Sequence, residues 1–259
     1  MHLRELAHRM LPYRARRRLL SLGRRYDFVF LSKHYHLDKH PAEGHNYAVH
    51  YQHHFAPLRH SARVVIEIGV GGYQHPLTGG ASLWAWEDYF PHASIYGIDL
   101  YDKTWLDKGR LRTFQGDQSD PAFLRRVVEQ TGPPDIVIDD GSHINAHIIT
   151  SFKTLFPLMT ERGIYAVEDL QTSYWDNVAD IAWGGSSDLN RTDTAMGFLK
   201  SLADGLNHQE FVGDYEPTYL DQHVISLHFY HNLVVVHKGL NDEPGSFLLG
   251  RAPKPPHYS

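Results

Sequence analysis

Short β-branched runs that break into glycine or acid recur along this chain at intervals of about 20–30 residues, with stretches of helical character between them. The clearest are Arg63-Val-Val-Ile-Glu-Ile-Gly-Val-Gly-Gly72, Ser94-Ile-Tyr-Gly-Ile-Asp99, Asp135-Ile-Val-Ile-Asp-Asp-Gly-Ser-His143 and Ile164-Tyr-Ala-Val-Glu-Asp169. A further segment ends at Gly116-Asp117-Gln118. This alternation predicts a doubly wound α/β sheet, mostly parallel. The segments from Glu210 to Tyr230 and from Leu233 to Lys238 read as antiparallel strands that close it.

Two of these runs end in clustered charge. If their strands lie parallel and side by side, Asp139, Asp140, His143, Glu168 and Asp169 meet in the crevice where open α/β sheets bind ligands. A hard divalent cation accounts for them economically, because Mg²⁺ takes a few carboxylate oxygens and leaves other positions to water or substrate. His143 then stands as a base beside the metal. The competing explanation is helix capping by Asp139 or Asp169, which covers one acid at each strand end but not two at both plus a histidine. Asn145 and His147 follow closely, either as part of this site or on a helix surface.

The glycines after the first run mark a turn whose backbone approaches a ligand closely. A dinucleotide fingerprint leads G-x-G-x-x-G straight into a helix that receives a pyrophosphate. Here Gly69, Gly71 and Gly72 are followed by Tyr-Gln-His-Pro-Leu-Thr-Gly-Gly, a detour through Pro76 that delays the helix to about Ala81 and holds no lysine for a phosphate. Glu67 stays inside the strand. The arrangement suits a cofactor with an amino-acid tail, such as S-adenosylmethionine, and argues against a nucleotide-dependent dehydrogenase. Asp99 is placed to accept hydrogen bonds from ribose hydroxyls, and Asp117 with Gln118 to read an adenine edge.

Taken in order, Glu67-Ile-Gly-Val-Gly-Gly72, Gly97-Ile-Asp-Leu-Tyr-Asp-Lys103, Gly116-Asp-Gln-Ser-Asp120, Ile138-Asp-Asp-Gly-Ser-His143 and Val167-Glu-Asp-Leu-Gln-Thr-Ser-Tyr-Trp175 resemble the magnesium-dependent sugar O-methyltransferases of macrolide biosynthesis, the mycinamicin and tylosin type. The resemblance spans residues 30–240 and implies a Rossmann-like class I methyltransferase fold with S-adenosylmethionine and Mg²⁺ as cofactors. It implies Asp140, Glu168 and Asp169 as metal ligands and His143 as catalytic base, with Asp139 touching the cofactor or its surroundings. Tyr47 and Tyr51 lie in the segment that covers the cofactor in that family. The macrolide enzymes carry a further N-terminal domain for which 259 residues leave no room, so fold and chemistry are expected to transfer better than substrate. The expected acceptor is a sugar hydroxyl of a glycoside or oligosaccharide, a mannoside of methylmannose polysaccharide being one reading. The alternatives are a macrolide or polyketide deoxysugar, or a catechol-like molecule. A non-catalytic carbohydrate-binding protein would have no use for a base beside a cation.

Composition fits one enzyme domain over residues 61–245, a helical segment over 1–60 that covers the cofactor site, and a flexible proline-rich tail over 246–259. The chain has no cysteine, which excludes thiolate metal sites and fits a reducing compartment. No apolar run nears the roughly 20 residues that span a bilayer, and a cytoplasmic enzyme is expected. A net charge of −5 argues against nucleic acid. The arginines of residues 1–25, interleaved with leucine, read either as a basic amphipathic helix on an anionic membrane or as a helix packed on the domain or a second subunit, with Pro12 interrupting the pattern; a homo-oligomer is expected. Tyr47, His50, Tyr51 and His54 recur at helical spacing. Most of the 20 histidines cannot be ligands. The aromatic loop from Leu170 through Trp183 to Asp193 reads as a lid whose rings stack on sugar faces.

Overall fold

Valine and isoleucine fill the central strands at nearly every position, as strands covered on both faces require. The structure, a computed structural model, describes residues 13–75 and 77–251. Its strands are β1 (Val64–Ile68), β2 (Ser94–Asp99), β3 (Leu111–Gln115), β4 (Ile136–Asp139), β5 (Ile164–Val167), β6 (Asn177–Val178), β7 (Ile181–Ala182), β8 (Val224–Tyr230) and β9 (Leu233–Lys238). Seven of them form one sheet in the order β3-β2-β1-β4-β5-β9-β8, while β6 and β7 pair separately. Neighbours from β3 to β5 run parallel, and β9 is antiparallel to β5 and to β8. The order reverses between β1 and β4, whose ends therefore open a crevice.

Helices cover both faces. They are α1 (Tyr13–Ser21), α2 (Phe28–Tyr35), α3 (Tyr47–Phe55), α4 (Ala81–Tyr89), α5 (Pro121–Thr131), α6 (Asn145–Leu155), α7 (Ala195–Gly205) and α8 (Tyr219–His223). The period-two alternation of the strands divides their side chains between two cores. Val65, Ile136, Ile138, Ala166 and Val235 join Phe28, Tyr51 and Trp86 on one face; Ile66, Val137, Tyr165, Val167 and Val236 join Leu124, Phe152 and Leu199 on the other. Each valine, isoleucine, leucine or phenylalanine among them, fully buried, contributes about 1.5–3 kcal/mol.

The described part of the arginine-rich stretch packs onto the domain. Arg18 and Arg25 reach the buried Asp88 of α4 at 3.5 and 3.3 Å, and Ser21 and Tyr35 donate hydroxyls to the same carboxylate. Residues 1–12, the start of the supposed amphipathic helix with Pro12, lie outside the described residues, as do Pro76 and tail residues 252–259. Among the described residues no helix is long and apolar enough to cross a membrane. The first closing strand, expected from Glu210, begins only at Val224 as β8: ahead of it the chain forms α8, because Thr218 and Asp221 cap each other's backbone in a capping box that commits the segment to a helical turn.

Candidate functional site

At the end of β1 the chain turns through Gly69, with φ +89°, and a Cβ there would lie 1.9 Å from the Asp140 carbonyl oxygen. The ends of β1 and β4 thus meet backbone to backbone, where only glycine fits. Asp99 pins the turn, its carboxylate accepting from the Val70 and Tyr101 N–H groups at 2.9 Å each. The loop closes when Gly80 N–H donates to the Val70 carbonyl, and α4 begins at Ala81, as the detour implies. A Cβ on Gly71 would meet nothing nearer than Gly79 Cα at 3.9 Å, so the space beside that turn is open. Buried Lys103 does reach the loop, but its ammonium is taken up by the Tyr73 and Thr78 carbonyls.

Beyond β3, Asp117 accepts from the Ser119 N–H and stays exposed. Gln118 turns inward, accepting from the Ser142 N–H at 2.6 Å and donating to Asp139 at 3.0 Å. Asp139 is buried and also accepts from the Ser151 and Tyr165 hydroxyls. Of the two roles expected for Asp139, contact with the cofactor or with its surroundings, these hydrogen bonds fit the second: they make it a support for the loop from Asp140 to Ser142.

The acids gather as the parallel pairing of β4 and β5 requires. Asp140, His143 and Asp169 each offer a ligand atom within 4.8 Å of one another, and the His143 Nε2 lies 3.9 Å from Asp140 and 3.7 Å from Asp169. His143 and Asp169 have φ of 56° and 54°, left-handed backbone that costs a non-glycine residue energy and that recurs at functional sites. Glu168 differs from expectation. Its carboxylate, 2% exposed, points to the interior, where Tyr51 donates at 2.5 Å and the Lys39 ammonium lies at 2.8 Å.

Lys39 is the residue that sequence reading missed. It is 1% exposed, donates to Asp140 at 2.6 Å and to Glu168 at 2.9 Å, and stands 3.8 Å from Glu67. Nothing around it in the sequence marks it, but three converging carboxylates need a buried counter-charge. Burial pushes the Glu67 carboxyl up to about 7 against the pull of Lys39; it also raises Asp140, and it lifts Glu168 far above its ordinary range, helped by the neighbouring Asp140. Ser82 donates to Glu67 at 2.7 Å. Tyr47 and Tyr51 pack beside these carboxylates. Both are buried with their hydroxyls spent on Asp169 at 2.8 Å and on Glu168, which holds those carboxylates in place.

The loop after β5 is more ordered than a free lid. β6 and β7 form a hairpin across Ala179 and Asp180, both at positive φ as a type I′ turn demands. Asn145, two residues past His143, stitches it down: its amide donates to the Thr172 and Trp183 carbonyls and accepts from the Ser173 hydroxyl and the Ala195 N–H. Trp175 and Trp183 stand edge to face at 6.1 Å, with Tyr174 and Trp175 partly exposed beside them.

A sheet of this order with its penultimate strand reversed, a glycine turn after β1 and an acid closing β2 is the Rossmann-like methyltransferase fold. The chain is homologous to sugar O-methyltransferases of the mycinamicin and tetracenomycin type, as its motifs lead one to expect. It is 48% identical over 204 residues to mycinamicin VI 2''-O-methyltransferase of Micromonospora griseorubida, covering 78% of this chain and 50% of that one. With 8-demethyl-8-alpha-L-rhamnosyl tetracenomycin-C 2'-O-methyltransferase of Streptomyces olivaceus it shares 49% over 205 residues, 78% of this chain and 52% of the relative. The solved MycE methyltransferase of the mycinamycin pathway, in complex with Mg, SAH and mycinamycin VI, superposes with a TM-score of 0.79 at 46% identity over 85% of this chain and 55% of that one. The chain spans about half the length of the curated relatives it matches. No family model matches it.

Proposed function

We propose that the protein transfers a methyl group from S-adenosylmethionine to a hydroxyl of the sugar on a glycosylated macrolide or related polyketide, with Mg²⁺ as the second cofactor. The observation that carries this is the convergence of Asp140, His143 and Asp169 beside a glycine turn open to a ligand. Carboxylate oxygens are the donors Mg²⁺ prefers. Asp140 and Asp169 would hold it, with Glu168 joining where Lys39 gives way, and when bound it supplies a Lewis acid for the acceptor hydroxyl.

His143 takes the hydroxyl proton, its Nε2 standing 3.9 Å from Asp140 and 3.7 Å from Asp169. Tyr47 and Tyr51 keep the carboxylates aimed. Asp99 uses one lone pair on each oxygen for backbone N–H groups and keeps others for two ribose hydroxyls, while Asp117 and the Gln118 segment flank the adenine. Glu67, Gly69 and Gly71 border the amino-acid tail. Residues 1–60 are read as the covering segment, 61–245 as the methyltransferase domain and 246–259 as a tail, in a cytoplasmic homo-oligomer. The rhamnosyl acceptor named for one relative favours a deoxysugar on a polyketide, and the mannoside expectation finds no support beside it.

The test is labelled methyl transfer to a panel of rhamnosylated polyketides, methyl mannosides and catechols, with and without EDTA. Turnover of the polyketide glycosides, abolished by chelation and restored by Mg²⁺, is the expected result. Turnover of catechols alone would overturn the acceptor, and full activity in metal-free buffer would overturn the metal.

A further inference from the structure

We infer that His54, His228 and His237 form a second metal site, one built for Zn²⁺, where α3 crosses the C-terminal hairpin. The pairing of β8 with β9 sets Ser226 opposite His237, His228 opposite Val235 and Tyr230 opposite Leu233, so these six side chains share one face of the sheet. α3 lies over that face and presents His50 and His54, one turn apart. His50 stacks on Tyr230 at 3.6 Å, and the His54 ring lies 4.6 Å from that of His228 and 5.0 Å from that of His237. One ligand nitrogen from each of His54, His228 and His237 falls within 4.8 Å of the others.

The donor set is chemically unlike the acidic one. It contains no carboxylate, and imidazole nitrogens suit Zn²⁺ where oxygens suit Mg²⁺. The rings are also ready to bind: burial, aided by neighbouring imidazoles that include His53, holds His54 at about 3 and His237 at about 4, and His228 is lowered too. No proton has to leave at neutral pH. The His54 Nδ1 and His237 Nε2 atoms are 2.9 Å apart; tetrahedral Zn²⁺ with bonds of 2.0–2.1 Å would spread them to about 3.3 Å, a small adjustment. The other His54 nitrogen, Nε2, already has the Tyr230 hydroxyl at 2.9 Å, the outer partner that orients a metal-binding imidazole. Water fills the fourth position. The ion would clip α3, and with it Tyr47 and Tyr51, onto the hairpin. This inference does not depend on methyl transfer.

The experiment uses the full chain, stripped with a chelator and dialysed into excess Mg²⁺, then titrated with Zn²⁺ by calorimetry and with Co²⁺ by its visible absorption. One Zn²⁺ per chain is expected, with the intense bands of tetrahedral Co²⁺ and a rise in Tm. Affinity should fall more than tenfold in His228→Ala and in His237→Gln, each checked for native circular dichroism, and should persist in Asp140→Asn. His228, partly exposed on the hairpin, is the substitution least apt to disturb folding. Absence of Zn²⁺ binding would overturn the site, as would binding that both histidine variants keep and Asp140→Asn loses.

Discussion

At the ends of β4 and β5, α3 lays Tyr47 and Tyr51 against carboxylates; toward the hairpin the same helix lays His50 and His54 against Tyr230 and two further imidazoles. Both clusters bury polar groups, yet they solve the cost in opposite ways. The first gathers carboxylates around the Lys39 ammonium. The second has no charge to compensate, because its rings stay neutral. A site that must hold a hard cation and steer a proton needs the first construction, and it is the more fragile: removing one partner of a buried pair leaves the other charge uncompensated, whereas a neutral pair loses a hydrogen bond.

The sharpest way to separate the clusters is by rate. His143→Ala should lower kcat by roughly 10²–10⁴-fold, the usual worth of a positioned base, while leaving Mg²⁺ and cofactor affinity nearly intact by calorimetry. His228→Ala should leave kcat within a few-fold of wild type at saturating cofactor. Equal losses in the two variants would erase the distinction.

Next comes the counter-charge. Lys39→Met should cost about 3–5 kcal/mol of unfolding free energy in metal-free buffer, as breaking a buried ion pair does, with urea melts as the measurement. Millimolar Mg²⁺ should recover part of that loss, since the cation would take over the compensation of Asp140. An unchanged melt would mean the carboxylates are protonated rather than paired. A smaller effect is expected from Tyr51→Phe, which removes a hydrogen bond to a charged group and should destabilise by about 1.5–3 kcal/mol. His50→Leu, by contrast, should stay within about 0.5 kcal/mol, the range of substitutions away from such features.

A separate effect lies in the pH profile. His54 and His237 are held at about 3 and about 4, below the ordinary 6.5, so in acid the unfolded chain takes up protons that the fold refuses. Their contribution in the metal-free protein is therefore complete above about 6.5 and is lost as pH falls toward 4. His54→Gln should flatten that limb in melts run between these values. A limb that is unaltered would place the acid sensitivity in the carboxylates.

Much of this was legible before any coordinates. The runs ending at Ile68, Asp99, Asp139 and Val167 mark parallel strands and a crevice at their ends, because β-branched residues bounded by glycine or acid have few other uses. Asp140, His143 and Asp169 followed, since pairing β4 beside β5 leaves them nowhere else to go. Lys39 was not legible: it lies 101 residues from Asp140 and 129 from Glu168, and a lone lysine in a polar loop carries no local signature. The spacing of Tyr47 and Tyr51 marks a shared helix face, but their carboxylate partners are not legible, because helical periodicity tells which residues share a face and not what that face meets. The same holds for Asp139, whose depth under Gln118 depends on three partners from separate elements. The segment before Val224 read as strand because its capping box is built from Thr218 and Asp221, residues equally at home in a turn.

Asn145 gives the aromatic loop a property that its length alone would not suggest. Because its amide meets two carbonyls and two donors at Thr172, Ser173, Trp183 and Ala195, the segment between them behaves as an interchangeable cassette with fixed terminals. Loops of different size and sequence grafted between those anchors should leave the backbone that carries His143 in place. Acceptor preference and proton chemistry can then diversify independently, the first by exchange of the cassette and the second by leaving its sockets alone.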